Sequence, residues 1–476
     1  MSPETMRAAE DSVAEDRGYR DSLTKIEPYG IEHIPDVERH GKPRSQFFLW
    51  FAAGMNFPIV VLGFSATYFG LPFWAAVLAI ILAGVISSAG MGYLSAMGVR
   101  LGIPQQMQGR GPLGFVGNLF PVAYVNVFAG IGWAAVTVIL GGQAIALLTD
   151  IPFWVSSLIL MGIQLGVAVI GYNLIHFLQR ILSFVLVIGF VFITIVAAAN
   201  GKVVNVANES APGFDGVGGW IIFFGWFFSF IVAWMPFASD YSRYLPNTAA
   251  NRRGAGWATM LGNFITLVWM GILGTLLGST TTATDSIGAL KEVMGPWAAV
   301  GLCVVALSSF TQNFLNVYGG AISIQTMGVP VKRHIAVIVI CVASYLVAQW
   351  GQTGFNEGFT AFLNLTAYCI APYVAVLVCD YLRGGRRTER GLRELFDKTR
   401  KFEWGFVAWA AGVVLSSPFW MSSIYTGPIA AAFPGIGDLS YYVGGAVAAG
   451  VYFATHRRKR LSGLEMLDRR PEAQTL

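Results

Sequence analysis

The stretch Ala52-Ala53-Gly54-Met55-Asn56-Phe57-Pro58 lies in the middle of an apolar segment and sets small and polar residues directly before a proline. Proline removes a backbone donor and its ring clashes with the carbonyl one turn back, so a helix running through this stretch is expected to break or kink. A second interruption, Val232-Ala233-Trp234-Met235-Pro236, falls five apolar segments later. Paired interruptions at matching positions of two five-helix halves point to a transporter built from inverted repeats. Free carbonyls and helix ends at such breaks can hold an ion and a substrate near the bilayer midplane. Two ordinary proline kinks, which membrane helices tolerate, are the other reading of the same residues.

Around these two stretches the chain has the composition of a bilayer protein. It has 476 residues, 55% hydrophobic and 12% charged, with a mean hydropathy of +0.59, which excludes a water-soluble globule. Apolar segments follow one another at 46–70, 72–97, 115–148, 152–173, 181–200, 218–241, 256–279, 296–323, 334–350, 358–382, 403–423 and 438–455. Each is bounded by Gly, Pro, Asn or charged residues, and each is close to the length a 30 Å hydrocarbon core requires. The expectation is an all-α polytopic protein of twelve membrane spans. The third segment is long enough to be tilted or to begin at the surface, because Gly109-Arg110-Gly111-Pro112 cannot sit in lipid as regular helix. Residues 1–45 are polar and lack an apolar core near the start, so no cleavable signal is expected. They form an N-terminal tail, 46–200 and 218–382 two five-helix units, 403–455 two further helices, and 456–476 a C-terminal tail.

An even number of spans puts both termini on one side, and the basic residues choose the side. With the termini cytoplasmic, the inside segments hold 29 of the 31 Lys and Arg residues, leaving only Lys202 and Lys291 outside. Plasma-membrane placement with cytoplasmic termini is therefore expected. The net charge of +5 describes topology and not a nucleic-acid partner, because the basic residues collect at segment ends. The run Arg457-Arg458-Lys459-Arg460 reads as a stop for the last helix. Cys303, Cys341, Cys369 and Cys379 lie in apolar segments without metal-like spacing and read as small packing residues. No catalytic constellation and no phosphate-binding loop is present, so neither an enzyme nor an ATP-driven pump is expected, and no cofactor or obligatory protein partner is evident.

No acidic or basic residue stands at mid-depth in the twelve segments. Asp240 and Asp380 sit at cytoplasmic ends, each with an Arg three positions on, and the five histidines lie outside the segments or at their edges. Proton relays and charged cargo call for ionisable groups in the bundle interior. The cargo is expected to be neutral. The mid-span polar groups are carboxamides, hydroxyls and indoles: Asn56, Trp133, Thr137, Gln143, Trp234, Thr311, Gln312, Asn313, Asn316 and Asn364. An indole stacked on a heteroaromatic base contributes roughly 1–3 kcal/mol whatever the base. A carboxamide sets a donor beside an acceptor and matches the edge of adenine or cytosine.

Several stretches carry a family likeness. Glu27-Pro28-Tyr29-Gly30-Ile31-Glu32, the Gly54-Met55-Asn56 break, Gly114-Phe115-Val116-Gly117-Asn118 with Gly132-Trp133 downstream, Pro236 through Pro246 with its Ala-Ser-Asp-Tyr-Ser-Arg core, and Asn313-Phe314-Leu315-Asn316-Val317-Tyr318 resemble the nucleobase-cation symporter family, and within it the purine and cytosine permease branch. The likeness runs from the N-terminal tail to the tenth span. It implies a leucine-transporter-type fold, with spans one to five and six to ten as inverted repeats, two peripheral helices and alternating access around a central site. It also implies import of a neutral nucleobase, cytosine or a purine, by symport with a cation.

By the family's pattern, Trp133 on span three and Trp234 on span six sandwich the base. Thr137 takes a position where the family often has Asn or Gln, Asn316 is the span-eight carboxamide with Asn313 beside it, and Gly54 opens the break. A hydroxyl at Thr137 cannot supply donor and acceptor in fixed amide geometry, which leaves the preferred base open. In sodium-coupled members a site lies between the first break and span eight. Here Ala53 and Asn56 offer carbonyls and Ser308 and Thr311 offer hydroxyls, but the spacing before Asn316 departs from the family's. Protons and sodium both stay open as the coupling ion, and beyond sodium no metal is expected. The alternatives are a carrier of another small neutral or zwitterionic solute on the same fold (allantoin-like, hydantoin-like or an amino acid) and a channel or sensor. The span-three Trp argues for a ring as cargo.

Overall fold

The computed structural model describes residues 27, 29–200, 216–384, 388–422 and 424–456. Within them regular structure is helical, apart from one isolated bridge between Met421 and Thr426. Most of both tails, Lys202 and the Arg457–Arg460 run lie outside the described residues.

Nine helical stretches among the described residues are long and apolar enough to cross a membrane, and the pair Arg44–Gly54 and Phe57–Phe69, bent by 54°, makes a tenth. Span one is this bent pair. Span two is Phe73–Leu101, span three Phe115–Thr149, span four Phe153–Ile170, and span five Tyr172–Ala199. Span six is Gly216–Ser242, span seven Ala249–Thr280, span eight the Ala298–Thr326 part of Ser286–Thr326, span nine Arg333–Gly351, and span ten lies in Phe355–Leu382. The last two expected crossings are shorter, Trp404–Phe419 and the 16-residue Ser440–Thr455. A 16-residue helix is about 24 Å long, short of the roughly 30 Å core.

The helix contacts repeat between the two halves. Span one packs on seven as span six packs on two; span five lies against one as ten lies against six; span three meets nine as eight meets four. The arrangement of each five-helix unit is thus the counterpart of the other. Glycines let backbones approach at the heart of it. A Cβ on Gly63 would fall on the Gly271 carbonyl of span seven, and one on Gly274 on the Val60 carbonyl of span one.

Four elements differ from the sequence reading. Span five begins at Tyr172, nine residues before the expected 181, because Asn173, His176, Gln179 and Arg180 make its first turns look like a loop. Gln179 is in fact buried, donating to the Thr311 carbonyl at 2.6 Å. Gly109–Pro112 is neither in lipid nor at the surface: the short helices Gln105–Gln108 and Arg110–Leu113 are wholly buried inside the protein. Ser286–Met294 forms an unforeseen helix before span eight, capped by Asp285 accepting from the Gly288 N–H. The approach to span one is packed and not a solvated tail, with Glu27, Tyr29, Ile34 and Arg39 all buried.

Candidate substrate site

The break in span one is built by local chemistry. Met55 and Asn56 leave the helical region, and Asn56 turns extended to cap the next helix, its Oδ1 accepting from the Ile59 N–H at 3.2 Å. Pro58 in the first turn lacks the N–H that would have gone unpaired there. The Asn56 amide also donates to the Ala53 carbonyl. Gly54 sits against span seven, where a Cβ would strike the Thr266 hydroxyl, so its smallness serves helix packing. Span six is interrupted differently. Met235–Phe237 is a single 3-10 turn within a continuous helical stretch, so the two prolines do not make matching breaks. The missing donor of Pro236 is absorbed by tightening one turn, as short 3-10 pieces do.

Span three carries a feature the sequence did not disclose. Asn126–Gly132 is a π-helical turn that ends directly before Trp133. Such bulges recur at functional sites because they redirect the side chains that follow. Asn126 holds the bulge to span eight, donating to the Gly320 carbonyl at 2.7 Å. Trp133 then emerges fully buried into a ring of phenylalanines. Its centroid stands 4.9 Å from Phe230 of span six, and 6.0 and 5.2 Å from Phe359 and Phe362 of span ten, each edge to face.

The structure separates the two expected sandwich partners into neighbouring aromatic groups. Trp234 meets Trp50 of span one at 5.8 Å and Phe237 at 6.1 Å, and Trp50 in turn meets Tyr241 at 5.6 Å. The span-six ring in direct contact with Trp133 is Phe230, one turn before Trp234. Phe230 and Trp50 had no sequence signal beyond aromatic character.

Spans three and eight meet over the carboxamides. Asn313 donates to the Ala134 carbonyl at 3.1 Å, beside Trp133, and to Gln164 Oε1 of span four at 2.8 Å. Asn316 donates to Asn313 Oδ1 at 2.9 Å. Trp133, Asn313 and Asn316 are thereby brought together. Thr137 is turned back on its own helix, its hydroxyl donating to the Trp133 carbonyl at 2.8 Å. Among the described residues, Trp133 Nε1, Trp50 Nε1, Asn316 Oδ1 and both amide atoms of Gln312 are buried without a hydrogen-bond partner. Gln312 stands four residues before Asn316 and therefore on the same side of span eight. That i, i+4 carboxamide pair was visible in the sequence as spacing.

At the expected cation site the hydroxyl protons are committed to their own helix. Ser308 donates to the Val305 carbonyl at 2.8 Å and Thr311 to the Ser308 carbonyl at 2.7 Å, which leaves their lone pairs as the only groups they could offer an ion. The Ala53 carbonyl already accepts from Asn56. No group of three or more His, Cys, Asp or Glu residues able to hold a metal occurs among the described residues.

At one end of the bundle several elements converge on Glu27. Its carboxylate lies 3.3 Å from Arg243 at the end of span six and 3.8 Å from Arg333 at the start of span nine. It accepts from the Tyr318 hydroxyl of span eight at 2.8 Å, from the Tyr244 hydroxyl, and from the Tyr172 N–H at 3.1 Å. Arg243 also donates to the Gly30 carbonyl at 2.6 Å. All of these side chains are buried.

Comparison with known proteins places this architecture. The model of a family described as permeases for cytosine/purines, uracil, thiamine and allantoin matches residues 33–444. A putative purine-cytosine permease of Bacillus subtilis, YxlA, is 29% identical over 445 residues, covering 90% of this chain and 95% of its own. The purine-cytosine permease fcyB of Emericella nidulans is 27% identical over 458 residues, covering 90% and 87%. Among solved structures, Mhp1, a nucleobase-cation-symport-1 family transporter in a closed conformation with bromovinylhydantoin bound, superposes with a TM-score of 0.72 at 19% identity, covering 91% of this chain and 95% of its own. That likeness shows the fold, the leucine-transporter-type bundle.

Proposed function

This chain belongs to the family of permeases for cytosine/purines, uracil, thiamine and allantoin, and from that membership and the chemistry of the site we propose that it imports a neutral nucleobase, cytosine or a purine, by cation symport with alternating access. The observation that carries the reading is the set of unpartnered buried polar atoms on spans three and eight, Trp133 Nε1, Asn316 Oδ1 and the Gln312 amide, next to a cluster of aromatic rings. A buried polar group left unsatisfied costs about 1–3 kcal/mol, so several together mark a place where a ligand's own donors and acceptors complete the pairing. A flat, neutral, hydrogen-bonding ring meets both the rings and the amides. In this reading Trp133 supplies a face and Asn316 the edge, Trp234 belongs to the adjoining aromatic group, Asn313 holds Asn316, and Gly54 and Thr137 pack the helices around them.

Competition of unlabelled bases, allantoin, hydantoin and neutral amino acids against labelled cytosine uptake tests the reading. Inhibition by cytosine or purines at lower concentration than by the other solutes is expected, and dominance of an amino acid would overturn it. We place the proton ahead of sodium as the coupling ion, because the hydroxyls of Ser308 and Thr311 depart from the spacing of sodium-coupled relatives. Uptake that survives collapse of the proton gradient but stops when sodium is replaced would reverse that order and leave symport intact. The cytoplasmic position of both termini rests on the distribution of Lys and Arg, and placement in the plasma membrane on the proposed import role.

A further inference from the structure

The π turn of span three sits between two contacts with span eight. Asn126 at its start donates to the Gly320 carbonyl at 2.7 Å, and the Ala134 carbonyl, just past its end, accepts from Asn313 at 3.1 Å. Midway, Gly130 lies so close to span eight that a Cβ there would stand 3.2 Å from the Gly320 Cα. Asn126, Gly130 and Ala134 thus face span eight at intervals of four residues. An α-helix turns about 100° per residue, so over the eight residues from Asn126 to Ala134 it would drift about 80° off that face. A π turn, bonded i to i+5, winds more residues into each turn and takes up the drift. The residue that a regular helix would bring back to the Asn126 face is the one seven positions on, Trp133, within about 20°. The π turn instead leaves Trp133 well off that face, against Phe230 of span six and Phe359 and Phe362 of span ten.

The half of span three before the turn is anchored independently. The Phe115 N–H donates to the Arg400 carbonyl at 2.6 Å, Asn118 to the Gln106 carbonyl at 3.0 Å, and the Tyr124 hydroxyl to the Leu365 carbonyl. Relaxation of the turn to a regular helix would therefore fall on the half that carries Trp133. We propose that Asn126 is a positioning residue for Trp133: its bond to Gly320 holds the π turn, and the turn aims the indole away from span eight and into the aromatic cluster where a base would stack. Val127, inside the turn and exposed, is the surplus residue. Its removal leaves seven steps from Asn126 to Ala134, which a regular α-helix covers with both on one face and Trp133 close to its present direction. This inference rests on the reading of the Trp133 cluster as the substrate site.

The test uses the full chain, purified and monodisperse, with two readouts: affinity for cytosine and adenine, and the fluorine resonance of Trp133 in protein labelled with fluorinated tryptophan, assigned by its absence in Trp133→Phe. Asn126→Leu keeps the size of the side chain and removes the donor. It is expected to weaken both bases alike by about tenfold, the scale of a lost stacking contact, and to shift the Trp133 resonance. Deletion of Val127 in the same chain is expected to restore both readouts, and deletion of Val127 alone to leave both at parent values. A merely structural Asn126 would alter the yield of folded protein and neither readout. Parent affinity and an unmoved resonance in Asn126→Leu, or a loss that the deletion does not restore, overturn the proposal. Where Asn126→Leu yields no folded protein, the deletion alone decides, and its failure to fold or to keep parent values overturns the proposal too, because the shortened span has to fit its contacts. A parent that binds neither base overturns the nucleobase reading, and the resonance still decides the role of Asn126.

Discussion

At the scale of the residue, the proposed site divides into groups that would hold a face of a base and groups that would read its edge. Trp133 is enclosed by Phe230, Phe359 and Phe362 and contributes a sequence-blind surface. Trp133→Ala is expected to weaken binding of every accepted base by a similar 1–3 kcal/mol or so. Asn316→Ala is expected instead to reorder the bases, because stacking is indifferent to edge chemistry and the carboxamide is not. Binding measured on purified, monodisperse protein separates the two, since a merely structural Trp133 would leave affinity in the folded fraction at the parent value. The kinds of residue were legible in the sequence, where Trp133 and Asn316 stood out as polar interruptions of apolar helices. Their partners were not. Gln164 is a lone glutamine in span four, and nothing local says that it faces Asn313, 149 residues away.

At the scale of the element, span one is held in its broken form by a cap within and by close contact without. Asn56→Ala removes the Oδ1 cap on Ile59 and the donor to the Ala53 carbonyl, and is expected to cost about 1 kcal/mol. Gly274→Ala is expected to be at least as costly, about 1–3 kcal/mol, because the new methyl meets the Val60 carbonyl and the Phe64 N–H, which are main chain and cannot turn aside. The midpoint of thermal unfolding in detergent, followed by retention of the monodisperse peak, checks both. Equal midpoints for the parent and Gly274→Ala would show that spans one and seven separate readily. The break at Asn56 was readable because capping is local. The 3-10 turn at Met235 and the π turn before Trp133 were not, because each depends on what the neighbouring helices leave room for.

At the scale of the whole molecule, Glu27 joins elements from both halves at one end of the bundle, tying Tyr172 at the start of span five to Arg243 and Tyr244 beside span six, Tyr318 of span eight and Arg333 of span nine. Glu27→Ala leaves two buried guanidinium groups without their carboxylate, a loss of about 3–5 kcal/mol when one partner of a buried pair is removed. The expected outcome is a large drop in thermal midpoint, and a smaller one for Glu27→Gln, which keeps an acceptor for the two tyrosine hydroxyls. Topology is tested at the same scale. With cysteines introduced at Lys291 and Arg390, both on described helices, an impermeant reagent outside sealed cells is expected to modify the first alone. Modification at 390 without permeabilisation would invert the arrangement.

The order of the first ten apolar spans follows from composition, because a hydrocarbon slab acts on each helix separately and its demands can be read one segment at a time. The capped break at Asn56 belongs to the same class, since its donors and acceptors lie within a few residues. Tertiary structure alone decided that Trp133 faces Phe230 while Trp234 turns to Trp50, that the Gln105–Leu113 turn is buried, and that the approach to span one is locked down by Glu27. It alone decided the direction in which Asn316 points its oxygen. These depend on contacts between residues far apart in the chain, and a carboxamide carries in its sequence no record of which of its two ends a distant carbonyl will claim.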